Sequence, residues 1–187
     1  MLIRIVAALA LIWSALLGTA FAQGLDPQNT LLMDLPAGRV VIKLRPDLAP
    51  KTVAQMKKLA GRHFFDGTPF HRVIPGFMAQ GGDPTGTGTG GSYEKNLPAE
   101  FSQAPFKRGT VAMARTQDPN SANSQFFICF TDDGCSSLTG KYTIWGEVVK
   151  GMEFVDKLKA GDEANNGQVD RPDKILKLKL MTDTSAN

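Results

Sequence analysis

A single arginine, Arg72, lies in the stretch of this chain whose residue types could do chemistry. Residues 70–83 read FHRVIPGFMAQGGD, so aromatic residues, methionine, glutamine and glycine surround the arginine. An ion pair that caps the end of a barrel would explain it, and so would a functional site. A guanidinium among apolar side chains suits ligand binding, or a reaction that needs neither a nucleophile nor proton transfer. This stretch alone leaves both explanations open.

Other catalytic arrangements are absent from the sequence. There is no G-x-S-x-G elbow, and no spacing of acidic residues singles out a paired-carboxylate site. His63 and His71 do not form an H-E-x-x-H site, so we expect no metal, and we interpret His71 as a hydrogen-bonded structural residue. Residues 85–91, TGTGTGG, match G-x-G-x-x-G, but no helix follows them, and we interpret them as a flexible surface loop.

Two short strands must position the arginine. Pro75 and Gly76 form a turn signal between two runs in which polar and apolar residues alternate. Because side chains alternate along a strand, the pattern predicts two groups on opposite faces: Phe70, Arg72 and Ile74 on one, and His71 and Val73 on the other. In the run at 125–130, the same alternation predicts one face with Phe126, Ile128 and Phe130 and another with Gln125, Phe127 and Cys129.

The rest of the chain reads as short strands with two helices. Strands are predicted at 30–34, 39–44, 107–114, 125–130, 142–149 and 175–180. Helical spacing predicts one helix over 53–60, with Thr52 as its N-cap, and a second over 152–158. Many short strands and two helices indicate an all-β closed barrel with helical plugs, in one domain.

The first 22 residues have the pattern of a secretory signal. Arg4 precedes an apolar run at 5–17, and Ala20-Phe21-Ala22 forms an A-x-A cleavage site before Gln23. The apolar run is shorter than the ~20 residues that a transmembrane helix needs. We therefore expect cleavage after residue 22, a mature domain at 23–187 in the periplasm (or secreted), and no membrane attachment after cleavage.

Charge and composition favour an ordinary globular domain. The formal net charge is +3, and no run of five positive residues occurs, which argues against nucleic-acid binding. No large apolar stripe demands a partner, so we expect a monomer. Cys129 and Cys135 flank a turn-like insert. They could form a disulfide in an oxidising compartment, or Cys129 could be a small apolar strand residue.

Several separated motifs resemble one family. FHRVIPGFMAQGGD, followed in order by MAR, SQFFI and LTGKYTIWGEVVKGM, is similar to the cyclophilin family of peptidyl-prolyl cis-trans isomerases over about residues 29–180. The resemblance implies an eight-stranded antiparallel β-barrel capped by two helices and an isomerase without a cofactor or covalent intermediate. It also implies proline-containing peptides and unfolded exported proteins as partners.

The resemblance also implies a role for each matching residue. Arg72 takes the position of the catalytic arginine, assisted by Gln80 and Phe77. The residues implied to bind substrate are Met78, Ala114, Arg115, Thr116, Gln125, Phe127, Leu138 and Tyr142. Two further readings stay open: a peptide-binding module that uses the same groove without catalysis, and a purely structural barrel.

Three positions depart from the family pattern. Ser137 stands where many eukaryotic members have tryptophan, and Tyr142 where they often have histidine. Arg115 replaces an asparagine. Tyr142 still supplies an aromatic wall and a hydroxyl, so isomerase activity is expected. Cyclosporin sensitivity is expected to be weak, because the family often binds cyclosporin through that tryptophan.

Overall fold

The structure is a computed structural model that describes residues 24–185, so the predicted signal peptide at 1–22 lies outside the described residues. Its helices are α1 (Pro50–Gly61), α2 (Asp132–Cys135) and α3 (Met152–Val155). Its strands are β1 (Thr30–Leu35), β2 (Gly38–Leu44), β3 (Arg72–Ile74), β4 (Met78–Gly81), β5 (Thr110–Met113), β6 (Phe126–Cys129), β7 (Ile144–Lys150) and β8 (Lys177–Leu180).

The eight strands form one antiparallel sheet in the order β3-β4-β6-β5-β7-β2-β1-β8. The prediction of a closed barrel is wrong, because the sheet curls into a half-barrel whose edge strands β3 and β8 do not pair. β3 has only three residues, and irregular chain lies opposite it. Isolated bridges from Pro69 to Lys174 and from Arg72 to Gln168 take the place of a continuous ladder.

Buried side chains divide between two clusters. The main core is built around Trp145, Phe126 and Phe65, and α1 packs into it through Val53 and Met56. The site cluster comprises Met78, Phe106, Ala112, Phe127, Cys129, Cys135 and Ile144. Strand alternation explains the division, because neighbouring residues of one strand point to opposite faces of the sheet.

The predicted faces of the strands are confirmed where the ladder is regular. In β6, Phe126 and Ile128 enter the main core, whereas Phe127 and Cys129 enter the site cluster. Phe70 is an exception, because it packs in the main core and not with Arg72. It precedes β3, where the backbone has no regular pleat to impose the alternation.

The helices differ from the prediction in several details. α3 spans only Met152–Val155 and so ends before the predicted residue 158. α1 begins at Pro50 with Ala49 at the N-cap position, so Thr52 is not the cap. Glu100 replaces a local cap, since its carboxylate accepts hydrogen bonds from the backbone nitrogens of Lys51 and Thr52 at 3.0 and 2.8 Å. α2 is an additional, one-turn helix in the insert between Cys129 and Cys135, which the sequence analysis interpreted as turn-like. No helix between residues 24 and 185 is long and apolar enough to cross a bilayer.

Candidate active site

Arg72 opens strand β3, with its side chain half-buried on the face opposite Val73. β3 and β4 pair antiparallel with Arg72 opposite Gln80, so the turn at Pro75-Gly76 sets these two side chains beside each other. Burial lowers the pKa of the Arg72 guanidinium, although arginine stays protonated at neutral pH. Its hydrogen bonds within the described chain go to neutral groups and to no carboxylate. The ion-pair explanation for this arginine is therefore wrong.

Asn166 holds Arg72 from one side. The Nε of Arg72 donates to the Asn166 carbonyl oxygen at 2.9 Å, and Nη2 donates to Asn166 Oδ1 at 3.0 Å. Asn166 has φ +54°, in the left-handed region that asparagine tolerates better than most residues. The backbone of Gly167 is tied to β3, because Val73 N donates to its carbonyl at 2.8 Å. We call residues 161–168 the arginine-holding turn.

Gln80 holds Arg72 from the other side. Nη1 of Arg72 donates to Gln80 Oε1 at 3.3 Å and makes a longer contact of 3.9 Å to Met78 Sδ. Gln80 Nε2 in turn donates to Gln125 Oε1 at 2.9 Å. Gln125 Nε2 donates to the carbonyl oxygens of Gly88 and Gly90 at 3.0 and 2.8 Å. A chain of amide groups thus links the arginine to the glycine-rich loop.

Asp83 organises that glycine-rich loop, residues 85–91. Its buried carboxylate accepts hydrogen bonds from the backbone nitrogens of Thr85, Gly88 and Gly90 at 2.8, 2.7 and 3.1 Å. The backbone N–H groups of the loop therefore converge on a carboxylate of the same chain. Burial acts to raise the pKa of Asp83, but a hydrogen bond from the Thr85 hydroxyl and these backbone hydrogen bonds outweigh it and hold the pKa below its ordinary value of 3.8.

A pocket of about 120 Å³ is lined in part by Arg72 and Gln80, and we call it the apolar pocket because most of its other side chains are aromatic or aliphatic. The predicted residues that line it are Phe77, Met78, Ala114, Arg115, Phe127, Leu138 and Tyr142. Tyr142 meets Phe127 edge to face, with ring centroids 5.7 Å apart, and Phe106 stacks on Phe127. Such packed rings form rigid walls. The pocket therefore offers aromatic and aliphatic side chains to a small ring and a guanidinium at its edge.

A larger groove of about 500 Å³ continues from the apolar pocket, and we call it the polar groove because most of the side chains along it carry amide or hydroxyl groups. The two share Gln80, Ala114 and Arg115, so a ligand can pass directly from one to the other. The predicted residues Thr116 and Gln125 line the groove as well. Its remaining walls come from the glycine-rich loop and from Ser92, Asn96, Ser121 and Asn123. Backbone and side-chain amides there match the hydrogen-bonding groups of a polypeptide.

Cys129 and Cys135 are joined by a disulfide that belongs to the site cluster. Cys129 lies on β6 opposite Met78 of β4, and Cys135 ends α2, directly before the turn Ser136–Leu138 that brings Leu138 to the pocket. The bond thus ties the segment that carries one pocket wall to the strand that carries another. Within residues 24–185, no group of three or more His, Cys, Asp or Glu side chains could hold a metal ion.

Two residues near Arg72 need comment. His71 is buried, as expected of a structural residue. The backbone of Pro69 acts on its ring as a hydrogen-bond partner, although neither ring nitrogen has a partner of ordinary hydrogen-bond geometry in the described chain. Burial is the main cause that lowers its pKa.

The sequence analysis did not identify Asn166 as a site residue, because it lies 94 residues from Arg72 in the chain. Asn166-Gly167 is a turn dipeptide, and this signal could have identified the left-handed turn.

Comparison with known proteins agrees with this geometry. A family model described as cyclophilin type peptidyl-prolyl cis-trans isomerase matches residues 30–180. A probable peptidyl-prolyl cis-trans isomerase from Brucella suis is 56% identical over 174 residues, covering 87% of this chain and 88% of that protein. Peptidyl-prolyl cis-trans isomerase B from Bacillus subtilis is 41% identical over 125 residues, covering 66% of this chain and 85% of that protein.

Solved structures show the same fold. The cyclophilin AquaCyp293 from Hirschia baltica aligns with a TM-score of 0.75 and 28% identity, covering 87% of this chain and 77% of that one. A cyclophilin-type isomerase from Cryptosporidium parvum, crystallised in the presence of the dipeptide Ala-Pro, aligns with a TM-score of 0.72 and 27% identity, covering 81% of this chain and 98% of that one.

Proposed function

Because this chain belongs to the cyclophilin family of peptidyl-prolyl cis-trans isomerases, we propose that Arg72 is the catalytic residue of its rotamase activity and that its substrates are exported proteins still folding. Family membership makes the chain an enzyme that rotates X-Pro peptide bonds. The observation that carries the assignment to Arg72 is a guanidinium held on two sides at the edge of a small apolar pocket.

The reaction needs a group that acts only in the transition state. Rotation about an X-Pro amide has a barrier of ~18–20 kcal/mol because amide resonance must be broken, and the uncatalysed reaction takes tens to hundreds of seconds. An acceleration of about 10⁵-fold requires roughly 7 kcal/mol of transition-state stabilisation. Groups that bind the planar and twisted amides equally well do not lower this barrier.

Arg72 can supply such a group. When the amide twists, the prolyl nitrogen becomes pyramidal and regains a lone pair that can accept a hydrogen bond. Arginine carries five N–H donors, and the second N–H of Arg72 Nη2 has no partner among residues 24–185. A donor held in place in a site that excludes water contributes about 3–4 kcal/mol. Asn166 and Gln80 fix the guanidinium, so the donor does not have to be ordered during the reaction.

The apolar pocket supports the remainder of the effect. Phe77, Met78, Phe127 and Leu138 hold the proline ring still while the carbonyl of the preceding residue turns. Gln80, Gln125 and the segment Ala114-Arg115-Thr116 lie along the polar groove, where they bind the peptide residues before the proline. Holding both parts of the substrate converts part of the binding energy into orientation.

The direct test compares the purified protein with Arg72→Ala. Cis-to-trans conversion of an Ala-Pro peptide is followed for both, and circular dichroism checks that the variant is folded. We expect conversion well above background for the native protein and a loss of about a hundredfold or more in the variant. Equal conversion by both proteins would leave the activity in place and refute the role of Arg72.

The assignment to exported substrates is supported by sequence and by cysteine chemistry. Residues 1–22 have the pattern of a secretory signal, and the disulfide between Cys129 and Cys135 suits an oxidising compartment. Cell fractionation with N-terminal sequencing tests this proposal. We expect a periplasmic protein that begins at Gln23, with release into the medium as the alternative, and uncleaved protein in the cytoplasm would refute it.

A further inference from the structure

Two guanidinium groups line the apolar pocket, and no carboxylate does. Among residues 24–185, the charged residues that line the pocket are Arg72 and Arg115, and Arg115 is also the single charged residue that lines the polar groove. No carboxylate within residues 24–185 forms a salt bridge with either arginine. The site therefore carries two positive charges without an acidic partner.

Arg115 is held by neutral groups only. Its guanidinium lies over the ring of Tyr142, 4.5 Å from the centroid, and 5.7 Å from that of Phe101. Nη1 donates to the Thr116 carbonyl oxygen at 2.8 Å, and Nη2 donates to the Lys141 carbonyl oxygen at 2.9 Å. These contacts fix the position of the side chain, but backbone carbonyls do not cancel a unit charge.

The acidic residue nearest to Arg115 in the sequence, Asp118, has a different hydrogen-bond partner. Asp118 accepts a hydrogen bond from the backbone nitrogen of Asn120 at 2.9 Å and forms no salt bridge with Arg115. Among residues 24–185, the side chains that line the pocket and the groove therefore include two guanidinium groups and no carboxylate, and the carboxylate of Asp83 lies behind the loop, on its backbone nitrogens.

Arg115 lines both the pocket and the groove, so a peptide that crosses from one to the other passes this charge. We propose that Arg115 is a specificity-determining residue that makes the enzyme prefer segments with Asp or Glu one or two positions before the proline. The inference rests on the proposed function, which places the residues before the proline in the polar groove. Opposite charges a few ångströms apart at a protein surface attract, and like charges repel to a similar extent.

The expected effect is moderate, because the site is open to water. A partly exposed charge pair changes binding by a factor of several, and we expect peptides with Glu before the proline to react about fivefold faster than peptides with Lys. The preference should shrink as salt is raised from about 0.01 to about 0.5 M, because the screening length falls well below 10 Å.

The test uses peptides that differ only in charge and in its position. Capped Ala-Xaa-Pro-Ala-Ala and Xaa-Ala-Pro-Ala-Ala peptides carry Glu, Gln or Lys at Xaa, one or two positions before the proline. A further set carries the same residues two positions after the proline. NMR exchange measures isomerisation without a coupled protease, and titration measures peptide affinity in parallel. Native protein, Arg115→Gln and Arg115→Lys are compared. Arg39→Gln is the matched control, since Arg39 pairs with Asp34 and lines neither cavity.

We expect the native protein and the Arg39 control to favour Glu over Lys before the proline, and Arg115→Gln to lose most of that ratio. Arg115→Lys should keep part of it. If Arg115→Gln does not fold, Arg115→Met serves as the neutral variant in its place, because methionine keeps an unbranched side chain against Tyr142. Equal rates and affinities for Glu and Lys peptides in the native protein would overturn the proposal, as would a Glu preference that survives in the neutral variant or is equally strong after the proline.

Failure of the proposed function gives a different result. In that case no peptide is isomerised above background by the native protein, whatever its charge. The affinity series still decides the charge preference, because it needs binding and not turnover. A preference for Glu in affinity that depends on Arg115 would support this proposal even then.

Discussion

The two sides that hold Arg72 are built from different kinds of backbone. Gln80 lies on β4, a strand paired on both edges, and its position opposite Arg72 follows from the register of the hairpin. Asn166 lies in the arginine-holding turn, where it and Gly167 have φ values of +54° and +79°. Both sides give the guanidinium a hydrogen bond. Regular pairing and a single irregular turn can therefore hold one side chain with similar geometry.

The sides also differ in what supports them. The Gln80 side continues through Gln125 to the glycine-rich loop and ends at the buried carboxylate of Asp83. The Asn166 side is supported by backbone hydrogen bonds between the turn and β3, such as Gly161 N to the Val73 carbonyl oxygen at 2.9 Å. One side depends on a chain of side-chain amides and the other on local backbone conformation. The two should respond to different substitutions.

Replacing Arg72 by lysine removes the group that both sides hold, and we expect the largest effect. An ammonium cannot bond Asn166 and Gln80 together while offering a donor to substrate, so kcat/KM should fall by about a hundredfold. Isomerisation of an Ala-Pro peptide measures the loss. Arg39→Lys, at the surface pair with Asp34, is the matched control and should keep its activity. Retention of most activity by the Arg72 variant would show that a charge suffices and that the planar fork is not required.

Asp83→Asn tests the far end of the Gln80 side. The carboxylate accepts three backbone hydrogen bonds while buried, so its loss should lower the free energy of unfolding by about 2 kcal/mol at neutral pH. Because the pKa of Asp83 is lower in the folded protein, this contribution is present above the ordinary value of 3.8 and is lost as pH falls through the folded value.

Urea unfolding of native protein and Asp83→Asn at a series of pH values measures this contribution. The difference in unfolding free energy between the two proteins should be full at neutral pH and should shrink at acidic pH. A difference that stays constant down to the lowest pH would mean that the charge of Asp83 does not stabilise the loop.

Gln80→Leu breaks the chain of amides on the paired side. Arg72 loses one hydrogen bond, and the amide oxygen of Gln125 loses its donor. We expect kcat/KM to fall by about tenfold, the equivalent of one hydrogen bond of typical strength. The stability of the protein should change less than its activity, since Gln80 lies outside both hydrophobic clusters. A variant as active as the native protein would remove Gln80 from the positioning of Arg72.

Asn166→Gly sharpens the comparison on the other side and should have the smallest effect. Glycine adopts the left-handed conformation freely and keeps the carbonyl that accepts from Arg72 Nε, so only the bond to Oδ1 is lost. We expect about a threefold loss in kcat/KM. Asn166→Ala should lose more, because it adds backbone strain at φ +54°.

Asn165→Ala is the neighbouring control for that series. Its side-chain amide bonds Gln168 and not Arg72, so activity should be kept. If Asn166→Gly, Asn166→Ala and Asn165→Ala lose activity equally, the conformation of the whole turn is what supports activity. The hydrogen bond to Asn166 Oδ1 then makes no separate contribution.

The strand pattern predicted the paired side of the site well. Period-two alternation placed Phe127 opposite the main-core residues of β6, and the turn signal at Pro75-Gly76 fixed the hairpin that sets Gln80 beside Arg72. Every predicted pocket residue lines one of the two adjoining cavities. The roles of these residues in catalysis stay predictions.

The pattern failed where the backbone is irregular. Phe70 was assigned to the wrong face because the backbone before β3 is not a regular strand. The sheet does not close into a barrel because turns and isolated bridges lie between β3 and β8. Thr52 was taken for a helix cap, whereas Glu100, 48 residues away, supplies the acceptor for its backbone nitrogen. Contacts of this kind leave no local trace in the sequence.

The amino-acid sequence by itself determined the strands, the face of each regular strand and the residue types around Arg72, because these depend on local periodicity and turn chemistry. The tertiary structure decided which distant groups hold the arginine. The carbonyl and side chain of Asn166, the carboxylate of Asp83 and the unpaired charge of Arg115 acquire their meaning only when loops far apart in the chain meet. Such meetings depend on the packing of the whole sheet, which no single segment encodes.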